Sequence, residues 1–463
     1  MFFKPQRFHF TGIGGIGMSG IAEVLLNMGY EITGSDAKLS PITERLSAMG
    51  ARIWQGHDGA HVAGAKALVV SSAIDPANPE LLAAKRLQVP IIPRGELLAE
   101  LMRLKYGIAV GGSHGKTTTT SILASLLSVA GLDPTVVVGG RVKGMGGSNA
   151  RVGKSDFLLV ESDESDGSFL KLAPIIAVVT NIDREHLDHY HSLDEILQAF
   201  LQFVNKVPFY GASILCLDDE NVQSILPRVT RRTVTYGVNP QADLFITSSS
   251  SGPVSSEFTL RLRGADLGAF RVGVPGPHNV LNATAAVAVG LELEVPVDKI
   301  RAGLESFSGV DRRFQVRGVA GGVTVIDDYG HHPTEIKATL ATARTCPFER
   351  VLVLFQPHRY TRTQALMDEF ARAFHQADAV MVLDIYAASE PAIAGVDSHR
   401  LLDRLREYGH RGAEYAPSME DGIARLAEMA QDGDAIITLG AGSVSQAGDR
   451  ILEALRAKEG VRS

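Results

Sequence analysis

Ile108-Ala-Val-Gly-Gly-Ser-His-Gly-Lys-Thr-Thr-Thr-Thr120 decides how the rest of the chain is read. Ile108 to Val110 have the character of a buried strand end. Thr117 to Val129 carries apolar residues at Ile122, Leu123, Leu126, Leu127 and Val129, which is helical spacing. Between them Gly111, Gly112 and Gly115 permit a turn whose amides face inward without Cβ clashes. Strand, glycine turn, Gly-Lys-Thr and helix together make a phosphate cradle. The amides and the helix N-terminus attract oxyanions, Lys116 reaches the outer phosphates, and the Thr117 hydroxyl is placed to ligate Mg²⁺. The full pattern asks for Gly at 110, where this chain has Val, so the loop is read from Gly111 as one residue shorter. The alternative is an ordinary strand-to-helix turn that happens to contain Gly-Lys-Thr. The strand before and the helix after disfavour it.

Working outward, 463 residues are too many for one core and predict roughly two to four domains. A hydrophobic share of 45% and a charged share of 21% are those of an ordinary globular chain. The net charge of −7 argues against a nucleic-acid partner held by general electrostatics, so anionic ligands require local cationic or amide-lined sites. Cys216 and Cys346 have no metal-like spacing and form no disulfide framework. The start, Met1-Phe-Phe-Lys-Pro-Gln-Arg7, lacks the long apolar region of a signal peptide, and no run of 18 apolar residues occurs. The expectation is a cytoplasmic protein without membrane insertion; monomer and homodimer both stay open.

Upstream of the cradle, Arg7-Phe-His-Phe-Thr11 alternates like a short strand and runs into Gly12-Ile-Gly-Gly-Ile-Gly17. Met18 to Met28 has helical spacing, and Glu31-Ile-Thr-Gly-Ser-Asp36 gives a second strand ending in an acid. Gly12, Gly14 and Gly17 with Asp36 match the dinucleotide fingerprint, which implies a bound nucleotide diphosphate without saying which. Ser71 and Ser72 follow a third strand, at the carboxyl edge where ligands of such sheets sit or where a turn satisfies its own amides. A nicotinamide-dependent dehydrogenase is the rival reading here, but it does not need two phosphate loops in one chain.

Downstream, an apolar strand ends in four acids, Glu161, Asp163, Glu164 and Asp166, which either form a solvated acidic loop or, repelling one another, hold a cation or donor groups among them. Ile175 to Asn181 is a further buried strand, followed by His186, a metal ligand or a hydrogen-bonding surface residue. Ser248 to Pro253 reads as an exposed turn between strands. Pro275-Gly-Pro-His-Asn279-Val-Leu-Asn282 opens a helix over Ala283 to Leu293, its asparagines reading a base edge or capping the helix. Val323 to Asp327, Arg350 to Phe355, Ala379 to Leu383 and Ala435 to Leu439 alternate with helical stretches, one starting near Pro333, as a third α/β unit. Arg359 and Arg362, just past a strand, either pair with a small carboxylate or open a solvated helix. Gly440-Ala-Gly442 is a weaker anion-binding turn.

These motifs in this order resemble the Mur ligases, the ATP-dependent amide-forming enzymes of peptidoglycan precursor synthesis and hence of cell wall, cell shape and division. The carriers are Gly12 to Met18, Gly112 to Thr118, Glu161 to Phe169, Asn181 to Tyr190, Pro275 to Asn282, Asp311 to Phe314, Asp327 to Glu335 and Phe355 to Arg362. The resemblance implies an α/β fold of three domains. These are a Rossmann-like UDP-sugar domain over 1–106, a P-loop ATPase domain over 107–316 and a Rossmann-like amino-acid domain over 317–463. It implies ATP and Mg²⁺ as cofactors, with UDP-N-acetylmuramate and L-alanine as substrates of the alanine-adding branch. ATP would be held by Gly111, Gly112, Ser113, His114, Gly115, Lys116, Thr117, Thr118, Asn279, Asn282, Arg313 and Asp327. The metal would be held by Thr117, Glu161 and His186. The nucleotide sugar would meet Gly12, Gly14, Gly15, Gly17, Met18, Asp36, Ser71, Ser72 and His114. The amino acid would meet Tyr329, His331, His358, Arg359 and Arg362, with Lys116, Glu161, His186 and His331 catalytic.

Two departures from the family pattern stand out. Ser113 replaces the usual Thr, keeping the hydroxyl. Ile196 to Gln202 has no lysine where many Mur ligases carry a carbamylated one, so no carbamylation is expected, as in the alanine-adding branch. The competing branch recycles whole tripeptides onto the same nucleotide sugar, and Glu164-Ser-Asp-Gly-Ser-Phe169 fits the alanine-adding kind better.

Overall fold

Strands whose two faces are both covered read as unbroken apolar runs, and the chain uses such runs to build three sheets. The computed structural model describes residues 6–71, 73–139, 150–185 and 189–462. Two candidate site residues, Ser72 and His186, lie outside them. The fold comprises two compact units: one of Met1–Ser248, Phe258–Val272 and Val280–Ser308, the other of Ser249–Glu257, Gly273–Asn279 and Gly309–Ser463.

The first unit begins with β1 (Arg7–Thr11), α1 (Ile16–Asn27), β2 (Glu31–Asp36), α2 (Pro41–Ala48), β3 (Arg52–Gln55), β4 (Ala67–Val70), α3 (Pro79–Arg86), β5 (Ile91–Pro93) and α4 (Arg94–Arg103). The strands form a parallel five-stranded sheet in the order β3-β2-β1-β4-β5. The order reverses between β1 and β4. Their carboxyl ends, Thr11 and Val70, therefore flank the crevice where such sheets bind ligands.

A ten-stranded sheet follows, with β6 (Tyr106–Gly111), α5 (Lys116–Val129), β7 (Thr135–Val137), β8 (Ala150–Arg151), β9 (Phe157–Glu161), β10 (Ile176–Val179), α6 (Leu193–Asn205), β11 (Ala212–Cys216) and α7 (Glu220–Ile225). Next come β12 (Thr233–Gly237), β13 (Leu244–Ser251), β14 (Ser256–Leu262), β15 (Ala265–Val272), α8 (Pro277–Glu292) and α9 (Val297–Glu305). The strand order is β15-β14-β13-β12-β11-β10-β6-β9-β7-β8. The cradle strand β6 is flanked in parallel by β9 and β10, so Gly111, Glu161 and Val179 end at one edge. One apolar core joins both sheets, running from Phe10, Ile21 and Leu98 to Phe169, Phe200 and Phe203.

Two expected boundaries move. Ser248 to Ser251 belong to β13, and only the residues between Ser251 and Ser256 make the turn, because the four serines keep the pleat of the apolar Leu244–Ile246 before them. Helix α8 begins at Pro277, whose fixed φ suits the first helical position, rather than at Ala283. Asn279 and Asn282 are therefore inside the helix and do not cap it.

The second unit carries β16 (Gln315–Ala320), β17 (Val323–Asp328), α10 (Pro333–Thr345), β18 (Val351–Phe355), α11 (Tyr360–Ala365), α12 (Met367–Ala371) and β19 (Ala379–Val382). It continues with α13 (Ser398–Glu407), β20 (Ala413–Tyr415), α14 (Met419–Met429), β21 (Ala435–Leu439) and α15 (Ala447–Arg462). Its sheet runs β16-β17-β21-β18-β19-β20, parallel except for the β16–β17 pair. Helix α10 starts where expected. His332 caps it, and Glu335 reaches back to close the capping box.

Candidate active site

Burial of Ile108 to Val110 fixes β6, and the chain must then leave the sheet edge and turn into α5 within four residues. Gly112 and Gly115 make that turn at φ 129° and 81°. A Cβ on Gly112 would fall on the Thr180 hydroxyl, and one on Gly115 would lie 2.6 Å from Asn282 Oδ1. Ser113 N donates to Asn181 O (3.0 Å) and His114 N to Asn181 Oδ1 (2.8 Å), while the Thr180 hydroxyl and Asn181 Nδ2 donate to His114 O. The end of β10 thus braces the loop in a fixed shape. His114 Nε2 meets Asp183 Oδ2 at 2.9 Å, and Thr119 Oγ1 donates to Asn282 Oδ1 at 3.1 Å. Thr118 is buried in the first turn of α5.

Lys116 folds back over this turn. Its Nζ donates to Gly112 O (2.6 Å), Ser113 O (3.1 Å) and Glu164 Oε1 (2.5 Å). Burial by itself lowers an ammonium pKa, but the charges of Glu164, Glu185 and Glu161 outweigh it and hold Lys116 above its ordinary value. The lysine is therefore a fixed cation with three acceptors that phosphate oxygens can replace. Beside it, Thr117 Oγ1 donates to Glu161 Oε1 at 2.8 Å, and Gly139 N donates to Glu161 Oε2 at 2.6 Å. Two hard oxygens this close are the kind of donor pair that Mg²⁺ takes alongside phosphates and water. The residues present fit both the triphosphate and the ion.

At the glycine loop of the first sheet, Asp36 Oδ2 accepts from Gly14 N at 2.8 Å, so the acid closes the loop itself. Gly12 N and Ile13 N donate to Ser35 O, and Gly15 precedes α1, in which Met18 is buried. Ser71 follows β4 at the same edge. One tie at this edge has no signal in the sequence. Arg94 packs against Gly17 and pairs with Asp163 Oδ2 at 2.9 Å, joining the glycine loop to the acidic loop after β9. Burial would raise the Asp163 pKa, but the hydrogen bond from Ser165 and then the charge of Arg94 hold it below its ordinary value. No local pattern announces a partner 69 residues away.

The second unit gathers Tyr329, His331, His358 and Arg362. His331 and His358 rings lie 5.9 Å apart, His358 stacks on Tyr386 at 5.6 Å, and Arg362 Nη1 is 3.3 Å from His358 Nδ1. Burial, then His331, Arg362 and Arg359, pushes the His358 pKa down to about 3, so the ring is neutral. Glu335 Oε2 lies 3.1 Å from His331 Nδ1, and Glu335 Oε1 accepts from Arg313 at 3.2 Å. Arg312 and Arg313 both lie over the Tyr329 ring. Asp327 is held by Arg312 and Thr438, though burial raises its pKa. Asn279 donates to Pro275 O at 2.7 Å. Arg359 is in the left-handed region at φ 71°, with its guanidinium 3.9 Å from Glu390 and its amide donating to Tyr386 O. Tyr386, Glu335 and Glu390 were not singled out from sequence, since each joins the group from a separate loop or helix.

The family description "Mur ligase family, catalytic domain" matches residues 7–106, "Mur ligase middle domain" residues 110–290, and "Mur ligase, glutamate ligase domain" residues 312–442. The chain belongs to the Mur ligase family. This Mur ligase is 69% identical over 456 residues to the UDP-N-acetylmuramate–L-alanine ligase of Solibacter usitatus, covering 98% of this chain and 97% of that one. Among solved structures it is similar to the UDP-N-acetylmuramate–alanine ligase of Thermotoga maritima, with TM-score 0.81, 28% identity and coverage of 98% and 99%. Its likeness to the UDP-N-acetylmuramate:L-alanyl-γ-D-glutamyl-meso-diaminopimelate ligase of Neisseria meningitides has TM-score 0.61 and 27% identity, covering 67% of this Mur ligase and 100% of that chain. No helix among the described residues is long and apolar enough to cross a membrane.

Proposed function

We propose that this Mur ligase joins L-alanine to the lactyl carboxylate of UDP-N-acetylmuramate at the expense of ATP. The observation that carries the reading is the 69% identity, over 98% of the chain, to a relative bearing that activity in its name. A carboxylate is a poor acyl donor because its oxygen leaves badly. In the proposed reaction it attacks the γ-phosphorus of ATP, ADP departs, and the resulting acyl phosphate is attacked by the alanine amine with loss of inorganic phosphate.

The first step brings two anions together, so catalysis consists mainly of positioning and charge neutralisation. Lys116 supplies a fixed cation, and the turn over Gly111 to Thr118 supplies a shaped backbone against the phosphates. Thr117 and Glu161, with His186, are proposed to hold Mg²⁺, which when bound neutralises phosphate charge. Asn279, Asn282, Arg313 and Asp327 are proposed to complete the ATP site. The loop at Gly12, Gly14, Gly15 and Gly17, with Met18, Asp36, Ser71, Ser72 and His114, is proposed for the nucleotide sugar. Tyr329, His331, His358, Arg359 and Arg362 are proposed for alanine, whose carboxylate suits a guanidinium. Segments 1–106, 107–316 and 317–463 would then be the sugar, ATP and amino-acid domains of a cytoplasmic enzyme.

The test is phosphate release with ATP, UDP-N-acetylmuramate and, in turn, L-alanine, glycine, L-serine and the tripeptide L-alanyl-γ-D-glutamyl-meso-diaminopimelate. Release with L-alanine is expected. Preference for the tripeptide would replace this reading with the recycling one, and dependence on no amino compound would end both.

A further inference from the structure

Outside the groups described so far, the N-terminal sheet buries a carboxylate among histidines. Glu80, at the start of α3, has no solvent exposure. Its ion-pair partners among the described residues are three histidines: His61 Nδ1 at 2.9 Å and His9 Nε2 at 3.4 Å from Oε1, and His57 Nδ1 at 3.6 Å from Oε2. Thr11 Oγ1 and Ser35 Oγ each donate to Oε2 at 2.7 Å. A buried carboxylate needs a compensating cation, and among the described residues no Lys or Arg pairs with it.

The surroundings of His9 leave a place for such a cation. His9 Nδ1 lies 2.9 Å from Thr33 Oγ1, whose own hydroxyl is directed to Phe8 O. Nδ1 is thus turned to Thr33, and Nε2 is the ring nitrogen that faces Glu80. Among the described residues, that buried Nε2 has no hydrogen-bond partner. A buried ring nitrogen 3.4 Å from a buried carboxylate oxygen leaves room for one positive centre between them, a proton or a metal ion.

We propose that His9 Nε2, His61 Nδ1 and Glu80 Oε1 form a binding site for a divalent cation of the zinc type. The three atoms lie within 4.8 Å of one another. Tetrahedral zinc with ligands at 2.0–2.1 Å spaces them by about 3.3 Å, so little movement is required. Two imidazoles and one carboxylate are ligands of this ion class, and the partial exposure of His61 leaves a fourth position open to water. The site lies under the glycine loop: Ser35, which donates to Glu80, holds Gly12 N and Ile13 N through its carbonyl.

The chain provides its own reporter. Trp54 is the single tryptophan and stacks on His61 at 4.4 Å. The whole protein, stripped of metal by chelation and carrying Glu161→Ala to remove the Thr117–Glu161 oxygens, is titrated with Co²⁺ alone while Trp54 emission is followed. Saturable quenching at one equivalent is expected, with the visible absorption of nitrogen-ligated Co²⁺. His61→Asn should weaken binding by at least about 10-fold, the scale seen for lesser changes around metal sites. His57→Asn should leave it within about 2-fold, because His57 faces the other carboxylate oxygen. Should His61→Asn fail to fold, the Co²⁺ absorption of the parent decides. No quenching and no absorption band, or equal quenching with and without His61, would overturn the site and leave the cluster a proton-sharing network.

Discussion

Lys116 shows how a single residue can be legible in sequence while its resting partners are not. Gly-Lys-Thr after an apolar strand marked it at once, yet the structure turns its ammonium onto Gly112 O, Ser113 O and Glu164 rather than outward. Lys116→Ala should abolish ligation while circular dichroism and melting stay near wild type, since one phosphate contact is lost and no core is unpacked. By analogy with other oxyanion contacts the loss is about 10²–10³ in rate. Near-wild-type turnover would remove the cradle reading. For the metal, Glu161→Ala should raise the Mg²⁺ concentration needed for half-maximal rate, and unchanged Mg²⁺ dependence would return Glu161 to a purely structural partner of Thr117 and Gly139. Arg359→Ala should raise the KM for L-alanine far more than that for UDP-N-acetylmuramate, as when a carboxylate loses its guanidinium. Equal rises in the two would detach Arg359 from amino-acid recognition.

Among the elements, the strands read themselves from apolar runs and the helices from spacing, because both signals are local. What escaped were the ties between elements. Glu80 on α3 takes hydroxyls from Thr11 on β1 and Ser35 on β2, across 69 and 45 residues of sequence, and no window of the chain brings these together. Arg94 at the head of α4 and Asp163 after β9 are tied in the same way. The Glu80 tie has a pH signature. Burial alone would raise its pKa, but its contacts with His9, Ser35, Thr11 and His61 bring it down to about 2 from 4.5. A depressed carboxylate pKa gives stability that is present above about pH 4.5 and is lost as pH falls toward 2. In metal-free protein this tie is worth on the order of 3 kcal/mol. Urea midpoints measured from pH 5 to 3 should therefore fall more steeply for wild type than for Glu80→Gln. Parallel curves would show that the charge of Glu80 does not stabilise these strands.

At the scale of the whole molecule, an α/β fold was expected and the described residues form three largely parallel sheets flanked by helices, whereas the packing of the first two around one core was not foreseeable from composition. The glycine loop and the Lys116 cradle end different sheets, so the nucleotide sugar should bind without ATP. UDP-N-acetylmuramate alone should then raise the melting temperature, with a stabilisation of about 2.7 kcal/mol at 100 times its dissociation constant. A rise seen only when ATP is also present would mean that the first loop is not an independent site. The tight seating of the cradle glycines reaches beyond catalysis. A side chain at Gly112 would collide with Thr180, and one at Gly115 with Asn282, with the backbone strained at both. An inhibitor lying against this turn would face a surface that point mutation has little freedom to reshape. Resistance would have to arise at a distance, through altered expression or efflux, because changes at the contact itself would disable the enzyme before they excluded the drug.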